Sequence, residues 1–335
     1  MKFNKTICGI VFASIIFLTG CGNNNDNGVL VIYTPLWPDF SEPLVEMFEQ
    51  ETGINVELLS MGTGELLARI NAEADNPQAD IMWSGALSTL IPSMHLFENI
   101  TSSNETSVLP MFANAEGPLT RFTFNGYVLV KNTEVLEELG VTINGYADLL
   151  NPALRGRIAM LNPAFSATAF NHLINMIHVM GETEEEGWAF VEALMDNVDG
   201  VMLMGGGALM AGVAAGEYAV GITFESGPMP FIEEGAPVEI VYMEEGVVFI
   251  ADGVLIVNNA PNRDNAQIFV DFMTSYTVQS MIENELFSRS VRADVAASPG
   301  PMLSLDYITI TDIPLQSIVD NRDKWLERFR EIWEG

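Results

Sequence analysis

Short apolar runs alternate with helix patterns over residues 29–85, and each apolar run ends in small polar residues. The apolar runs cover 29–33, 55–59 and 80–83, and the helix patterns between them cover 41–52, opening with Ser41-Glu42-Pro43, and 66–74. Apolar runs of this length, separated by amphipathic segments, indicate buried strands joined by helices. This β-α-β-α-β order favours a parallel sheet with helices on both faces. The sequence therefore predicts an α/β fold.

A second region repeats the same order of strand, glycine or serine turn, and helix. It extends from about residue 125 to residue 252 and follows the start of a longer β-rich run at 121–130. We interpret that run as a strand that crosses from the first region to the second. No repeat with a fixed period of about 20–50 residues is visible, which excludes solenoids and propellers. The sequence therefore predicts two α/β regions with polar turns at strand ends in both.

Small polar residues follow the three predicted strands of the first region. Thr34 ends the first strand, Thr63 and Gly64 follow the second, and Ser84 and Gly85 follow the third. Ligands of open parallel sheets bind beyond the carboxyl ends of the strands. We therefore expect these residues to line a binding site.

The segment 162–170 joins a predicted strand to an amphipathic helix pattern. Pro163 disfavours an earlier helix start, and Ser166 is suited to cap the helix. Ser166, Ala167 and Thr168 then bring two hydroxyls next to the first free N–H groups of that helix. Free N–H groups and the helix dipole attract anions, so this turn is a candidate anion site. An ordinary capped helix would show the same pattern.

The N-terminal segment resembles an export signal followed by a lipid attachment site. Two lysines precede an apolar stretch that is too short to span a bilayer, and the stretch ends in Leu18-Thr19-Gly20-Cys21. This ending is similar to the lipobox of bacterial lipoproteins, whose cysteine is lipidated. We therefore expect residues 1–20 to be a signal peptide, Cys21 to carry a lipid, and residues 21–28 to form a flexible tether. The protein is then expected outside the cytoplasm, anchored to the cell membrane.

The charge and the cysteine content exclude several classes of partner and site. The formal net charge is −31, from 14 Lys and Arg against 45 Asp and Glu, which excludes nucleic acid as a partner. Attachment to a membrane is therefore expected through the lipid and not through a basic surface. Cys21 is the only cysteine left after removal of the signal, so we expect no disulfide and no cysteine metal site.

No motif in the sequence predicts catalysis or a metal centre. Gly-x-Ser-x-Gly, Walker and His-Glu-x-x-His patterns are absent from the sequence. The chain has three histidines, His95, His172 and His178, and we interpret each as a solvated side chain. We therefore expect a protein that is not an enzyme and needs no metal or cofactor.

Five segments match one family in order and spacing: 62–70, 78–85, 162–168, 216–225 and 235–242. Together they resemble the extracellular solute-binding proteins of ABC importers, in the branch of ferric-ion, 2-aminoethylphosphonate and sugar-phosphate binders. The resemblance covers nearly all of residues 29–296. It implies a type II periplasmic-binding-protein-like fold, in which two lobes joined by crossing strands close on a ligand.

The resemblance also implies how the chain is divided into lobes and which partners the protein binds. Residues 29–124 together with 255–335 are expected to form the first lobe, and residues 125–254 the second. The expected partners are a small-molecule ligand in the cleft and the transmembrane subunits of an ABC permease. A monomer is expected.

The expected ligand is a small anion or zwitterion, either an organophosphonate or a phosphate ester. Ferric-ion relatives use adjacent tyrosines near the position of Glu225, and no Tyr-Tyr pair occurs in this chain. Phosphonate and phosphate-ester relatives present hydroxyls at helix N-termini, which Ser166 and Thr168 match. If Glu225 and Asp252 face the cleft, they would pair with an ammonium group, and a solvated or hinge role stays open for both.

The ligand-binding residues expected from the residues and the resemblance together number thirteen. They are Thr34, Thr63, Gly64, Ser84, Gly85, Asn125, Ser166, Ala167, Thr168, Gly206, Gly207, Glu225 and Asp252. Related sequences carry serines where this chain has glycines at 205–207, so Gly206 and Gly207 would offer only N–H groups.

Three other functions stay open from the sequence. A receptor for a cation, such as a polyamine, thiamine or ferric ion, is favoured by the acidic residues and by Trp37 and Trp83 as possible stacking faces. A surface hydrolase is disfavoured by the lack of a nucleophile and base pair. An adhesion lipoprotein would have no cleft between its lobes.

Overall fold

The computed structural model describes residues 28–85, 87–114, 117–200, 202–296 and 300–335. The predicted signal peptide, Cys21 and the predicted tether up to residue 27 lie outside the described residues. The strands are β1 (Leu30–Thr34), β2 (Val56–Ser60), β3 (Ile81–Trp83), β4 (Thr120–Asn132), β5 (Ile158–Leu161), β6 (Met202–Leu203), β7 (Val220–Phe224), β8 (Val238–Val241), β9 (Val247–Ile256), β10 (Arg289–Ser290) and β11 (Ile310–Thr311). The α-helices are α1 (Pro38–Thr52), α2 (Thr63–Ala72), α3 (Leu87–Leu90), α4 (Thr133–Leu139), α5 (Ala167–Val179), α6 (Glu184–Val198), α7 (Gly206–Ala214), α8 (Met229–Glu233), α9 (Arg263–Met273), α10 (Tyr276–Asn284) and α11 (Leu315–Glu334).

The strands form one mixed sheet with the order β2-β1-β3-β9-β4-β7-β5-β6. At one end β1 is parallel to both β2 and β3, and at the other end β5 is parallel to both β6 and β7. We call the part of the molecule around β1, β2 and β3 the first lobe, and the part around β5, β6 and β7 the second lobe. Each lobe therefore keeps the parallel βα arrangement that the sequence predicts.

Two long antiparallel strands, β4 and β9, join the lobes. They pair with each other, while β9 also pairs with β3 of the first lobe and β4 with β7 of the second. The β4–β9 register shifts between Arg121 and Thr123, which indicates a bulge in the shared ladder. The predicted two-lobe α/β fold with crossing strands is confirmed.

Each lobe has its own hydrophobic core. Phe48, Trp83 and Phe269 pack together in the first lobe, with ring centroids 5.1–5.3 Å apart. The core of the second lobe includes Trp188 from α6 and Trp325 from α11. Burial of such large aromatic side chains is a main source of stability in each lobe.

The C-terminal helix α11 packs on the second lobe, although the sequence assigned residues 255–335 to the first. Ile318, Trp325 and Phe329 of this helix are at most 3% exposed and lie in the core that contains Trp188. The exact lobe boundaries stay a prediction. The packing of α11 nevertheless shows that the chain returns to the second lobe at its C-terminus.

Some helix ends follow the local sequence and others do not; α2, for example, begins at Thr63 and not at residue 66. Ser166 accepts a hydrogen bond from Ala169 N–H and so caps α5, as predicted, and Gly53 ends α1 in the left-handed conformation. Helix α1 begins at Pro38 and not at Ser41, so the predicted start was wrong. Pro38 occupies the first turn, where a missing N–H has no consequence.

His172 is a core residue, so the prediction of a solvated side chain was wrong. It is fully buried: its Nε2–H donates to Thr223 O and its Nδ1 accepts from the Tyr146 hydroxyl, both at 2.6 Å. Burial lowers the pKa of His172 to about 4, and the backbone hydrogen bond to Thr223 only partly offsets this. The imidazole is therefore a neutral link between α5 and β7 at physiological pH.

Among the described residues, no helix has both the length and the apolar character needed to cross a membrane. The same residues contain no group of three or more His, Cys, Asp and Glu side chains placed to hold a metal ion.

Candidate functional site

A cavity of about 270 Å³ lies between the two lobes. The first lobe contributes the loop after β1, the N-terminus of α2 and the turn after β3, while β4 and β9 form its floor. The second lobe contributes the start of α5 and the end of β7. Polar turns at the carboxyl ends of strands from both lobes thus meet at one place, as the sheet order requires.

Three helices point their N-termini at the cavity. Trp37 precedes α1, Thr63 begins α2, and Ala167 and Thr168 begin α5, and all four residues line the cavity. The first N–H groups of a helix have no partner within it, and the helix dipole adds a partial positive charge there. This side of the cavity is therefore suited to an anionic group.

The turn after β3 is held in an uncommon backbone conformation. Ser84 has φ 69° and Gly85 has φ 136°, both in the range that side chains disfavour. A Cβ atom at Gly85 would lie 3.0 Å from the Thr63 Cγ2 atom and 3.3 Å from Leu90. Ser84 N–H donates to Gly253 O at 2.7 Å, which fixes the turn against β9. Strained backbone of this kind is found at ligand sites, where the contacts of the surrounding structure hold it in place.

Asp252 of β9 supplies the only charged side chain among the described residues that line the cavity. Its Oδ1 accepts a hydrogen bond from the Ser84 hydroxyl at 3.0 Å, and Gly85 N–H also donates to the carboxylate. Burial raises the pKa of Asp252 to about 6, and these two hydrogen bonds only partly offset the effect. The carboxylate is ionised at neutral pH but has no cationic partner among the cavity-lining residues.

Tyr127 and Asn125 of β4 line the same cavity as this carboxylate. Burial raises the pKa of Tyr127 far above its usual range, and the nearby Asp252 raises it further. The phenol also interacts with Asn171 of α5. The Oδ1 atom of Asn125 is buried without a hydrogen-bond partner in the described part of the chain. A buried acceptor without a partner is costly, so this side of the cavity favours a group that donates hydrogen bonds.

Aromatic rings form much of the remaining wall. Trp37 is 51% exposed and lies 6.1 Å from the Phe40 ring and 6.5 Å from the Phe224 ring, centroid to centroid. Phe170 of α5 also lines the cavity. Trp83, the other tryptophan considered from the sequence, is fully buried in the first core and does not line the cavity.

The structure brings together about half of the expected ligand-binding residues. Those that line the cavity are Thr63, Ser84, Gly85, Asn125, Ala167, Thr168 and Asp252. Those that do not are Thr34, Gly64, Ser166, Gly206, Gly207 and Glu225. Predicted residues from the turns after β2 and β3 and from the start of α5 therefore line the cavity, whereas Thr34 after β1 and the second glycine turn do not.

Two hydroxyl residues act on the backbone next to the cavity. The Thr34 hydroxyl donates to Trp83 O at 2.8 Å and accepts from Leu36 N–H at 3.2 Å, which holds the loop after β1. Ser166 caps α5 through Ala169 N–H. Gly206 and Gly207 begin α7 at an exposed surface, away from the cavity lining.

Glu225 is fully buried, and its carboxylate has other partners. Arg289 Nη2 donates to its Oε1 at 2.6 Å and Arg289 Nε to its Oε2 at 2.8 Å. The Tyr242 hydroxyl donates to Oε1 at 2.7 Å, and Gly126 N–H donates to Oε2 at 2.8 Å. We call these four residues the hinge cluster, because they join β7 and β8 to the crossing strand β4 and to β10. Of the two roles left open for Glu225, its contacts fit the hinge role.

Several cavity residues were missed from the sequence. Tyr127 follows Asn125 by two residues on β4, so strand alternation could have placed both on one face. Phe170 and Asn171 lie in the first turns of α5, beside the predicted anion turn. The apolar spacing of Ile318, Trp325 and Phe329 predicts a C-terminal helix, but nothing local indicates that this helix reaches the cavity.

Periplasmic binding proteins are among the solved structures that resemble this chain. AfuA of Actinobacillus pleuropneumoniae, solved with fructose-6-phosphate bound, is 26% identical with a TM-score of 0.78, over 91% of this chain and 98% of AfuA. The fold and the cleft therefore define a two-lobed periplasmic binding protein of type II.

Sequence comparison gives the family. The model of the bacterial extracellular solute-binding protein family matches residues 38–285, and the chain belongs to that family. A probable ABC transporter periplasmic-binding protein of Sinorhizobium fredii is 23% identical over 89% of this chain and 85% of its own length. A putative 2-aminoethylphosphonate-binding periplasmic protein of Salmonella typhimurium is 23% identical over 76% of this chain and 74% of its own length. The protein is thus a solute-binding receptor of an ABC importer.

Proposed function

We propose that this receptor captures a small zwitterionic organophosphonate, or a phosphate ester that also carries an amine. The observation that carries the proposal is the pairing, in one cavity, of helix N-termini with the ionised carboxylate of Asp252. The helix N-termini suit an anion, and the carboxylate of Asp252 in the same cavity suits an ammonium group. A cavity of about 270 Å³ suits a solute of a few carbon atoms.

The anionic group of the solute would lie between α2 and α5. Thr63, Ala167 and Thr168 bring N–H groups and hydroxyls from both lobes to this side. The net charge of −31 does not oppose this arrangement. Helix N-termini act at contact distance, whereas exposed charges are screened beyond about 8–10 Å. Closure of the lobes would bring the donors of both helices to one phosphonate.

The ammonium group would lie against Asp252, with Asn125 as a second acceptor. Trp37 and Tyr127 add aromatic faces, which also attract cations. A charge-assisted hydrogen bond to Asp252 is worth about 1.5–3 kcal/mol, since the carboxylate has no cationic partner in the cavity lining.

Calorimetric titration with 2-aminoethylphosphonate and with ethylphosphonate tests the proposal. We expect the amine-bearing ligand to bind more tightly, and Asp252→Asn to weaken only that ligand, by about 10- to 100-fold at pH 8. Asp199→Asn is the matched control, because Asp199 is an exposed residue paired with Arg155. Equal loss for both ligands, or no binding of either to the wild type, would contradict the proposal.

A receptor for a polyamine is the second candidate. Asp252 and the exposed face of Trp37 favour it, and no Lys, Arg or His lies among the described residues that line the cavity. The same titration with putrescine and spermidine distinguishes the two: binding of these amines without binding of 2-aminoethylphosphonate would replace the first candidate by the second.

The location of the receptor is part of the proposal. Lipidation of Cys21 would hold it at the outer face of the cell membrane, as a monomer, next to its permease. Cys21→Ala is expected to release the protein from the membrane fraction of cells that express it. Retention of that variant in the membrane would contradict lipid anchoring.

A further inference from the structure

The C-terminal helix α11 forms one side of the ligand cavity. Leu315 and Ile318, in its first turns, line the cavity together with residues of both lobes. Ile318 is 3% exposed, so its side chain is fixed by packing. The wall that these two side chains make is apolar, unlike the polar floor made by Asn125 and Asp252.

The helix is attached to the second lobe through its later turns. Trp325 Nε1–H donates to Glu184 at 3.1 Å, and Lys324 forms an ion pair with the same carboxylate at 3.0 Å. Arg328 pairs with Glu185 at 2.5 Å and lies 4.8 Å above the Trp188 ring centroid. These contacts fix the position of α11 on α6 without help from the cavity.

The first turns of α11 also reach the first lobe. Leu315 packs against the first-lobe cluster that contains Tyr33 and Leu87, and the helix contacts α3. One turn after Ile318, the guanidinium of Arg322 lies 5.4 Å from the Phe170 ring centroid. The helix therefore crosses the cleft, with its far part on one lobe and its start against the other.

We infer that α11 determines the length of solute that the receptor accepts. This inference rests on the proposed function, because it assigns α11 a role in the same cavity. If Asp252 and the helix N-termini hold the two charged ends of a solute, a longer carbon chain between them has to bend outward against the apolar part of the lining. Leu315 and Ile318 provide that wall and exclude longer chains by contact.

Shortening either side chain is expected to extend the cavity. A pocket discriminates one methylene group by a factor of about 10–200, so a small change in this wall has a measurable effect. Ile318→Ala and Leu315→Ala should therefore shift the preference from 2-aminoethylphosphonate toward 3-aminopropyl- and 4-aminobutylphosphonate by about tenfold. Leu315 is less buried than Ile318, so its variant tests the same wall with a smaller risk to folding.

The control is Ile332→Ala on the same helix. Ile332 packs against the second core but does not line the cavity, so the variant loses the same atoms elsewhere. Calorimetric affinities for the three phosphonates are compared as ratios within each protein, after thermal unfolding shows that each variant is folded. We expect the ratios of Ile332→Ala to equal those of the wild type.

The outcomes separate this inference from the proposed function. Wild-type binding with an unchanged length preference in both folded cavity variants overturns the inference alone. If the wild type binds only diamines, the proposed ligand is wrong. A shift of the variants toward longer α,ω-diamines then still supports the role of α11. If the wild type binds neither the aminophosphonates nor the diamines, both this inference and the proposed function are overturned.

Discussion

Two carboxylates lie inside this molecule near the crossing strands, and their surroundings differ. Glu225, in the hinge cluster, has a guanidinium against both of its oxygens. Asp252, at the cavity, accepts hydrogen bonds from the Ser84 hydroxyl and from Gly85 N–H, and no cation lines the cavity in the described part of the chain. The protein therefore neutralises the charge of Glu225, whereas the charge of Asp252 is available for a bound solute to neutralise.

This difference separates a structural acid from a candidate binding acid. Moving a charge out of water is costly unless it is paired, so Glu225 without Arg289 would destabilise the fold. Asp252 loses less of its hydration because it faces a cavity. The hydration that it does lose raises its pKa to about 6. An ammonium group in the cavity would remove the remaining cost. The comparison therefore predicts large stability effects at the hinge cluster and ligand effects at Asp252.

The largest expected effect is at Arg289. Arg289→Ala leaves Glu225 buried without a partner, and we expect the free energy of unfolding to fall by about 3–5 kcal/mol in urea denaturation. Arg155→Ala, which breaks the exposed pair with Asp199, is the control and should cost less than about 1 kcal/mol. Equal losses in the two variants would remove the distinction between the buried pair and an exposed one.

A second prediction concerns pH and Asp252. The folded pKa of about 6 lies above the ordinary value of 3.8, so the stabilising contribution is present below about pH 4 and is lost as pH rises through 6. Relative to Asp252→Asn, the wild type should lose about 2 kcal/mol of unfolding free energy between pH 4 and 6. His172 titrates in both proteins and cancels from the difference. A difference that does not change with pH would show that Asp252 is not desolvated.

The smallest expected effect is at Tyr242. Its hydroxyl donates to Glu225 and accepts from Leu303 N–H at 3.2 Å, but Arg289 remains in place when it is removed. Tyr242→Phe should therefore cost about 1 kcal/mol of unfolding free energy, and ligand affinity should not change. A loss as large as that of Arg289→Ala would mean that the ion pair depends on this hydroxyl.

Local sequence predicted the parts of the site that consecutive residues make. Ser84 and Gly85 after β3, and Ala167 and Thr168 at the start of α5, were expected at the cleft and line the cavity. Each follows from a strand end or a helix start, which depends on a few neighbouring residues. The same reasoning placed the cap at Ser166, although its hydroxyl is used by the helix itself.

Local sequence could not predict pairings between distant residues. Glu225 and Arg289 are separated by 64 positions, and nothing beside Glu225 indicates that a guanidinium will reach it. His172 carries no sign of burial in its own helix pattern, because its partners Tyr146 and Thr223 come from other elements. The hinge cluster and the buried histidine were therefore missed for the same reason.

The sequence by itself determined the α/β class, the order of strands and helices, and the polar turns at strand ends. These follow from periodicity and from turn and cap residues, which act over a few positions. Only the tertiary structure decided which carboxylate is neutralised, which turns meet at the cavity, and that α11 returns to close it. Those outcomes depend on which distant groups share a space, because the charge and burial of a side chain are set by its neighbours in the fold.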